Sequence, residues 1–190
     1  MIRRERYLNQ LKKFKDKDVI KVVTGIRRAG KSTILEAFSN ELKNEVPEER
    51  ILFFNLESAA YDSMRNYHDL YKSVSEKISG GERHYIFIDE IQNVRDFEKA
   101  VNALTADFDV DLYLTGSNAF LLSSELSTLL SGRYVEIHLQ PLSFAEYYGA
   151  QENLSKEDAF FSWLKYGGFP FLAKEKDEDV INNYLDGIYS

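Results

Sequence analysis

The chain has 190 residues, of which 44% are hydrophobic and 29% charged, the proportions of an ordinary globular protein long enough to bury a full core. It contains no cysteine, which excludes disulfides, thiolate metal sites and cysteine nucleophiles together. The formal net charge of −7 conceals an asymmetry, because residues 1–28 carry ten Lys/Arg against three Asp/Glu while the remainder carries fourteen against twenty-eight. That balance speaks against a whole-surface attraction to nucleic acid. It leaves two readings of the basic start: a solvated amphipathic helix, or a segment that touches phosphates. No apolar stretch follows that start, and the longest aliphatic or aromatic runs, such as Ile51-Leu-Phe-Phe and Tyr85-Ile-Phe-Ile, are four residues. Neither a signal peptide nor a membrane span is expected, and the cytoplasm is the expected place.

Short apolar runs alternate with longer amphipathic segments, the signature of a parallel α/β sheet. Strands are expected over 19–24, 51–55, 85–89, 112–115 and 133–139, with helices over 31–44, 67–79, 95–108 and 119–130 between them. The third strand is apolar throughout, as a strand buried on both faces should be. In the fifth, Val135, Ile137 and Leu139 alternate with Tyr134, Glu136 and His138, as on an edge strand with one wetter face. Beyond Pro141 the pattern turns helical, over 143–149, 155–166 and 178–189, with the breaker Gly167-Gly-Phe-Pro170 before the last. The expected layout is an α/β core over 1–141 and a small helical, lid-like subdomain over 142–190.

Between the first strand and its helix, Gly25-Ile26-Arg27-Arg28-Ala29-Gly30-Lys31-Ser32 matches G-x-x-x-x-G-K-[ST] in full. The glycines let backbone N–H groups turn inward around phosphates, and the helix that follows offers them its positive end. Lys31 supplies a point charge for the β- and γ-phosphates, Ser32 is a ligand for Mg²⁺, and Thr33 reaches the α-phosphate. At average residue usage the pattern arises by chance at about one position in 30,000, so it is specific. Arg27 and Arg28 either add positive charge near the γ-phosphate or are solvated loop arginines.

The third strand ends in Asp89-Glu90. An aspartate at the tip of an apolar strand can hold Mg²⁺ through water, and the glutamate after it can orient or deprotonate an attacking water. The fourth strand ends in Thr115-Gly-Ser-Asn118, where Ser117, with Asn118 beside it, is expected at the γ-phosphate; the alternative is a turn that caps the next helix. Arg133, at the start of the fifth strand, is either a charge-neutralising arginine, in cis or on a neighbouring subunit, or a salt-bridge partner. His68, His84 and His138 have no metal-site spacing.

GIRRAGKST, YIFIDEIQ, LTGSN, SGRYVEIHLQPLSFAEYY and GGFP together resemble the AAA-like P-loop ATPases of bacteria and archaea that carry a GxRRxGK[ST] phosphate loop. The resemblance implies an additional-strand, catalytic-glutamate fold with sheet order 5-1-4-3-2. It implies Walker B roles for Asp89 and Glu90, a sensor role for Ser117 and Asn118, and an arginine motif at Gly132-Arg133. It also implies adenine rather than guanine, with Tyr7, Leu8 and the Gly-Gly-Phe-Pro turn as contacts. Members of that group typically continue into a nuclease-like C-terminal domain, so the chain reads as truncated before it. Two further features agree: an apolar stripe of Ile181, Tyr184, Leu185 and Ile188, and nine aromatic residues between 144 and 171, which either form the core of the appendage or dock the absent domain or a second subunit.

The expected function is Mg²⁺-dependent ATP hydrolysis to ADP, coupled to a partner, a homo-oligomer or the absent domain. The alternative is a nucleotide-gated binding module with negligible turnover. A small-molecule kinase is disfavoured by the Asp-Glu doublet and by the lack of an arginine-rich lid.

Overall fold

The computed structural model describes residues 2–116, 130 and 132–189. The helix expected over 119–130, and with it Ser117 and Asn118, lies outside the described residues. The chain forms two compact units. The larger, a sheet unit, holds Glu5–Gly25 and Lys31–Leu139; the smaller, a helical unit, holds the residues up to Arg4, Ile26–Gly30 and the chain from Gln140 onward.

The sheet unit runs α1 (Glu5–Phe14), β1 (Ile20–Thr24), α2 (Lys31–Leu42), β2 (Ile51–Asn55), α3 (Tyr67–Ser75), β3 (His84–Asp89), α4 (Phe97–Asp107), β4 (Val110–Thr115) and β5 (Tyr134–His138). All neighbouring strands are parallel, in the order β2-β3-β4-β1-β5, which is the implied order read from the other edge. The fold is therefore the α/β P-loop NTPase type. Side chains alternate across the sheet. Ile86, Ile88, Leu112 and Leu114 face a core shared with Leu70, Val74, Phe97, Val101 and Leu104. On the opposite face Phe87 stacks on Tyr113 at 4.7 Å, and Phe38 of α2 covers both. β1 and β3 are buried along their whole length, and on β5 Glu136 and His138 stay exposed, as an edge strand requires.

Two of the boundaries that differ from the sequence reading have a clear physical reason. β4 begins at Val110 rather than 112, because Asp111, 2% exposed, sits inside the strand and forms an ion pair with the fully buried Lys21. A charged residue interrupts an apolar run and makes a buried strand look shorter than it is. α3 stops at Ser75, where three-residue turns take over (Lys77 N–H to the Val74 carbonyl, 3.0 Å). α1 is the amphipathic helix expected of the basic start: Tyr7, Leu8 and Leu11 are buried, Arg6, Lys12 and Lys13 stay exposed, and Lys12 pairs with Glu41 of α2 at 2.7 Å.

The helical unit contains α5 (Phe144–Gly149), α6 (Lys156–Tyr166) and α7 (Glu178–Tyr189). Ser143 and Glu146 form a reciprocal capping box at the start of α5. Glu146 also accepts from Arg4 Nε at 2.9 Å and Nη2 at 3.0 Å. Burial alone would raise the Glu146 carboxyl; the Arg4 and Ser143 donors outweigh it and hold it below the usual carboxylate range. Leu142, Tyr147, Ala159 and Ala173 form a small core with Trp163 against it, whereas Phe161 is 68% and Leu164 58% exposed. The aromatic-rich segment thus serves both as core and as surface. Among the described residues no helix is long and apolar enough to cross a membrane.

Candidate functional site

β1 delivers the chain into the phosphate-loop sequence at Gly25, whose φ is +142°. A Cβ there would lie 2.3 Å from the Leu139 carbonyl oxygen, so only glycine fits. Gly30, with φ +97°, needs the same freedom, and between them Arg28 takes the left-handed conformation at φ +67°. Lys31 then opens α2; it is 5% exposed, its Nζ donates to the Gly25 carbonyl at 3.2 Å, and it lies 3.9 Å from Glu90 Oε1. Ser32 and Thr33 complete the first turn of this twelve-residue helix, whose leading N–H groups have no intrahelical acceptors and attract an anion.

Residues Ile26–Gly30 make their contacts inside the helical unit. The Arg28 guanidinium stands 4.8 Å over the ring of Tyr184 on α7, and that ring stacks on Phe171 at 4.3 Å. Burial raises the Tyr184 phenol, with Arg28 pulling the other way. The Ala29 carbonyl accepts from Arg4 at 3.4 Å, while Ile26 and Arg27 are exposed.

The second cluster forms at the tips of β3 and β4. Asp89 is 1% exposed and accepts a hydrogen bond from the hydroxyl of the fully buried Thr115. The same hydroxyl accepts the Glu90 N–H at 2.9 Å. Glu90 stands in the left-handed region (φ +57°, ψ +53°), a strained conformation for a non-glycine residue that persists only where its surroundings impose it. Its Oε2 accepts from Gln92 Nε2. Thr115 escaped the sequence reading, which favoured Ser117 and Asn118 in the same segment; those two lie outside the described residues. Only the register singles it out, since β3 and β4 pair Ile88 with Leu114, which sets Thr115 beside Asp89.

Among the described residues no group of three or more His, Asp or Glu side chains forms a metal cage. Ser32 and Asp89 offer hard oxygen donors, the set that suits Mg²⁺ when substrate phosphates and water complete its shell. Arg133 stands apart from this cluster. Its carbonyl accepts the Ile20 N–H at 2.8 Å, at the beginning of β1, whereas the phosphate loop follows the end of that strand, about 13 Å further at ~3.3 Å per residue. Within one chain, Arg133 and Lys31 lie at opposite ends of the sheet, and Arg133 lines a depression with Lys17, Asp18 and Asn102. The histidines serve the fold: His84 is buried and bonded to the Glu82 carbonyl (2.9 Å), and His138 lies 3.0 Å from the Thr24 hydroxyl.

Comparison with known proteins bears on the family and the fold. The whole chain is 46% identical to an uncharacterized protein of Haemophilus influenzae, covering 48% of it, and 90% of the chain is 29% identical to the uncharacterized protein MJ1544 of Methanocaldococcus jannaschii, covering 41%. The chain thus spans less than half the length of these curated relatives. Among solved structures, the Walker-type ATPase PABY2304 of Pyrococcus abyssi superposes with a TM-score of 0.62 at 18% identity, over 91% of this chain and 66% of that one. The Orc1 protein of Aeropyrum pernix, solved in complex with DNA, gives 0.56 at 16% identity, over 78% and 48%. Residues 17–148, well over half of the chain, match the family described as an AAA domain. The chain therefore belongs to this AAA-domain family, AAA_14.

Proposed function

We propose that this domain binds ATP with Mg²⁺ and hydrolyses it to ADP and phosphate, as a member of the GxRRxGK[ST] group. The observation that carries the reading is the pairing at the tip of β3: a buried Asp89 held by Thr115, followed by a strained Glu90 whose carboxylate lies 3.9 Å from Lys31. Gly25–Gly30 wraps the phosphates, Lys31 sets its charge on the β- and γ-phosphates, and Thr33 takes the α-phosphate. Ser32 and Asp89 would hold the Mg²⁺, which would supply charge neutralisation on the phosphates. Glu90 orients the attacking water and takes its proton as the new bond to the γ-phosphorus forms and the bond to the β,γ-bridging oxygen breaks. Ser117 and Asn118 take the sensor role, and adenine is the base, as the resemblance implies. Arg133, at the opposite end of the sheet from Lys31, acts on the nucleotide of a neighbouring chain.

In this reading residues 1–141 are the ATPase core and 142–190 a lid-like subdomain that passes the nucleotide state to a partner, a second copy or a further domain. The Arg28–Tyr184 contact supports that coupling, because it ties a phosphate-loop residue to α7. The same contact favours a second reading, a nucleotide-gated binding module with negligible turnover.

Phosphate release from Mg-ATP, measured across protein concentrations with Glu90→Gln and Lys31→Ala alongside, separates the two. Hydrolysis requires that Glu90→Gln lose about 100-fold or more in kcat while keeping its affinity for ATP, and that Lys31→Ala lose nucleotide binding. A specific rate that climbs with concentration points to a contribution in trans and makes Arg133 the next residue to change. Equal silence of wild type and Glu90→Gln, with both binding ATP, establishes the gated module instead.

A further inference from the structure

Gln92 sits two residues beyond Glu90 in a short 3₁₀ turn, Ile91–Asn93, and that turn is anchored on both sides of it. Ile91 is fully buried in the main core, Asn93 Nδ2 donates to the Leu56 carbonyl at 3.3 Å, and the Asn93 N–H closes back on the Glu90 carbonyl at 3.1 Å. From this fixed position Gln92 Nε2 donates to Glu90 Oε2. The orientation of the amide is forced, because the reverse would set its carbonyl oxygen against a carboxylate oxygen. The consequence is visible on the other side: Gln92 Oε1 is buried and, among the described residues, has no hydrogen-bond partner.

A buried acceptor without a donor costs about as much as a hydrogen bond to a charged group gains. Gln92 is only half-buried, so turning its amide toward water would satisfy both of its ends. That it stays inward, in spite of the orphaned oxygen, means the bond to Glu90 prevails. Its effect on the carboxylate is directional. One oxygen, Oε2, is occupied; the other, Oε1, is left facing Lys31. Thr115 fixes the Glu90 backbone from one side, and Gln92 fixes the side chain from the other.

We infer that Gln92 is a positioning residue for hydrolysis, which holds the Glu90 carboxylate with its free oxygen toward the phosphate-binding end of α2. This rests on the ATPase reading above and adds a residue to it. Gln92 does not touch the substrate; it acts through Glu90 by fixing which oxygen meets the attacking water.

The test uses Gln92→Met, which keeps length and loses the donor, and Gln92→Glu, which keeps shape and sets a second carboxylate against the first. Both are measured for kcat and KM with Mg-ATP, and Gln92→Met also in the Glu90→Gln background by single turnover. The expected result is a kcat about tenfold lower in Gln92→Met, at least as low in Gln92→Glu, with KM within about twofold of wild type. In the Glu90→Gln background Gln92→Met should cost nothing further, because the group it acts through is already gone. An unchanged kcat in an active protein, a loss shared equally with ATP affinity, or a further tenfold loss in that background overturns the role of Gln92 and leaves hydrolysis standing. A wild type without turnover overturns both.

Discussion

The two ends of the parallel sheet treat their polar side chains in opposite ways. At the end where the strands begin, Lys21 Nζ donates to Asp111 and to the Lys17 carbonyl (2.9 Å). Tyr113 and the Asp16 N–H donate to the second oxygen of Asp111 at 2.8 and 2.9 Å, and Tyr85 donates to Asp16 at 2.7 Å. The groups satisfy one another, and the cluster is closed. At the end where the strands finish, Asp89, Glu90 and Gln92 combine a strained backbone, a carboxylate near Lys31 and an orphaned acceptor. The closed end carries shifted titrations. Burial lowers Lys21 against the pull of Asp111, and burial, with Asp111 adding to it, raises Tyr113. At the closed end a perturbed ionisation marks architecture; at the open end the carboxylate beside Lys31 and the orphaned acceptor mark the place for chemistry.

Breaking the closed end should have the largest effect. Asp111→Ala strands the Lys21 ammonium in the interior, and a loss of about 3–5 kcal/mol of stability is expected in urea unfolding; pairing it with Lys21→Met should recover most of it, since removing both charges avoids an unpaired one. Breaking the open end should instead spare the fold. Thr115→Val removes one hydroxyl that serves both Asp89 and the Glu90 N–H. It should lower kcat about tenfold for ~1–2 kcal/mol of stability, read by steady-state kinetics beside a thermal melt.

Alkaline titration sharpens the contrast. With phenols raised above their ordinary value of 10.0 in the folded chain, the unfolded chain binds fewer protons above that pH, so stability falls as pH rises. Lys21, lowered from 10.5, works in the other direction but only below that value. Above pH 10.5 Lys21 no longer opposes the tyrosines, and Tyr113→Phe should flatten the decline by about 1.4 kcal/mol per pH unit, measured as unfolding free energy between pH 10.5 and 11.5. The smallest effect belongs to the helical unit. Arg28→Ala removes a cation–π contact on Tyr184 worth about 0.5–1 kcal/mol, so amide exchange on α7 should quicken by a few-fold at most.

The phosphate loop and the Asp89-Glu90 doublet were legible because each depends on residue type at fixed spacing, whereas the order of the five strands came only from the family resemblance. Gly25 illustrates why: its glycine is demanded by a carbonyl 2.3 Å away, a constraint that composition alone transmits. The Lys21–Asp111 pair was not legible. Reading by apolar runs treats both residues as interruptions, and only the register that sets Lys21 opposite Tyr113 brings the lysine to β4. Thr115 was missed for a related reason, since a threonine ends many strands and only pairing with β3 singles it out. The basic start of the chain looked available to phosphates because its acidic partners, Glu41 on α2 among them, are remote in sequence.

The Arg4–Glu146 pairing joins residues 142 positions apart. During synthesis, at about 5–20 residues per second, Arg4 therefore waits on the order of ten seconds before its partner exists. The same guanidinium donates to the Gln140 carbonyl at 2.7 Å and to Ala29, inside the phosphate loop. A nascent chain thus displays its nucleotide-binding sequence long before the clamp behind Ala29 can close.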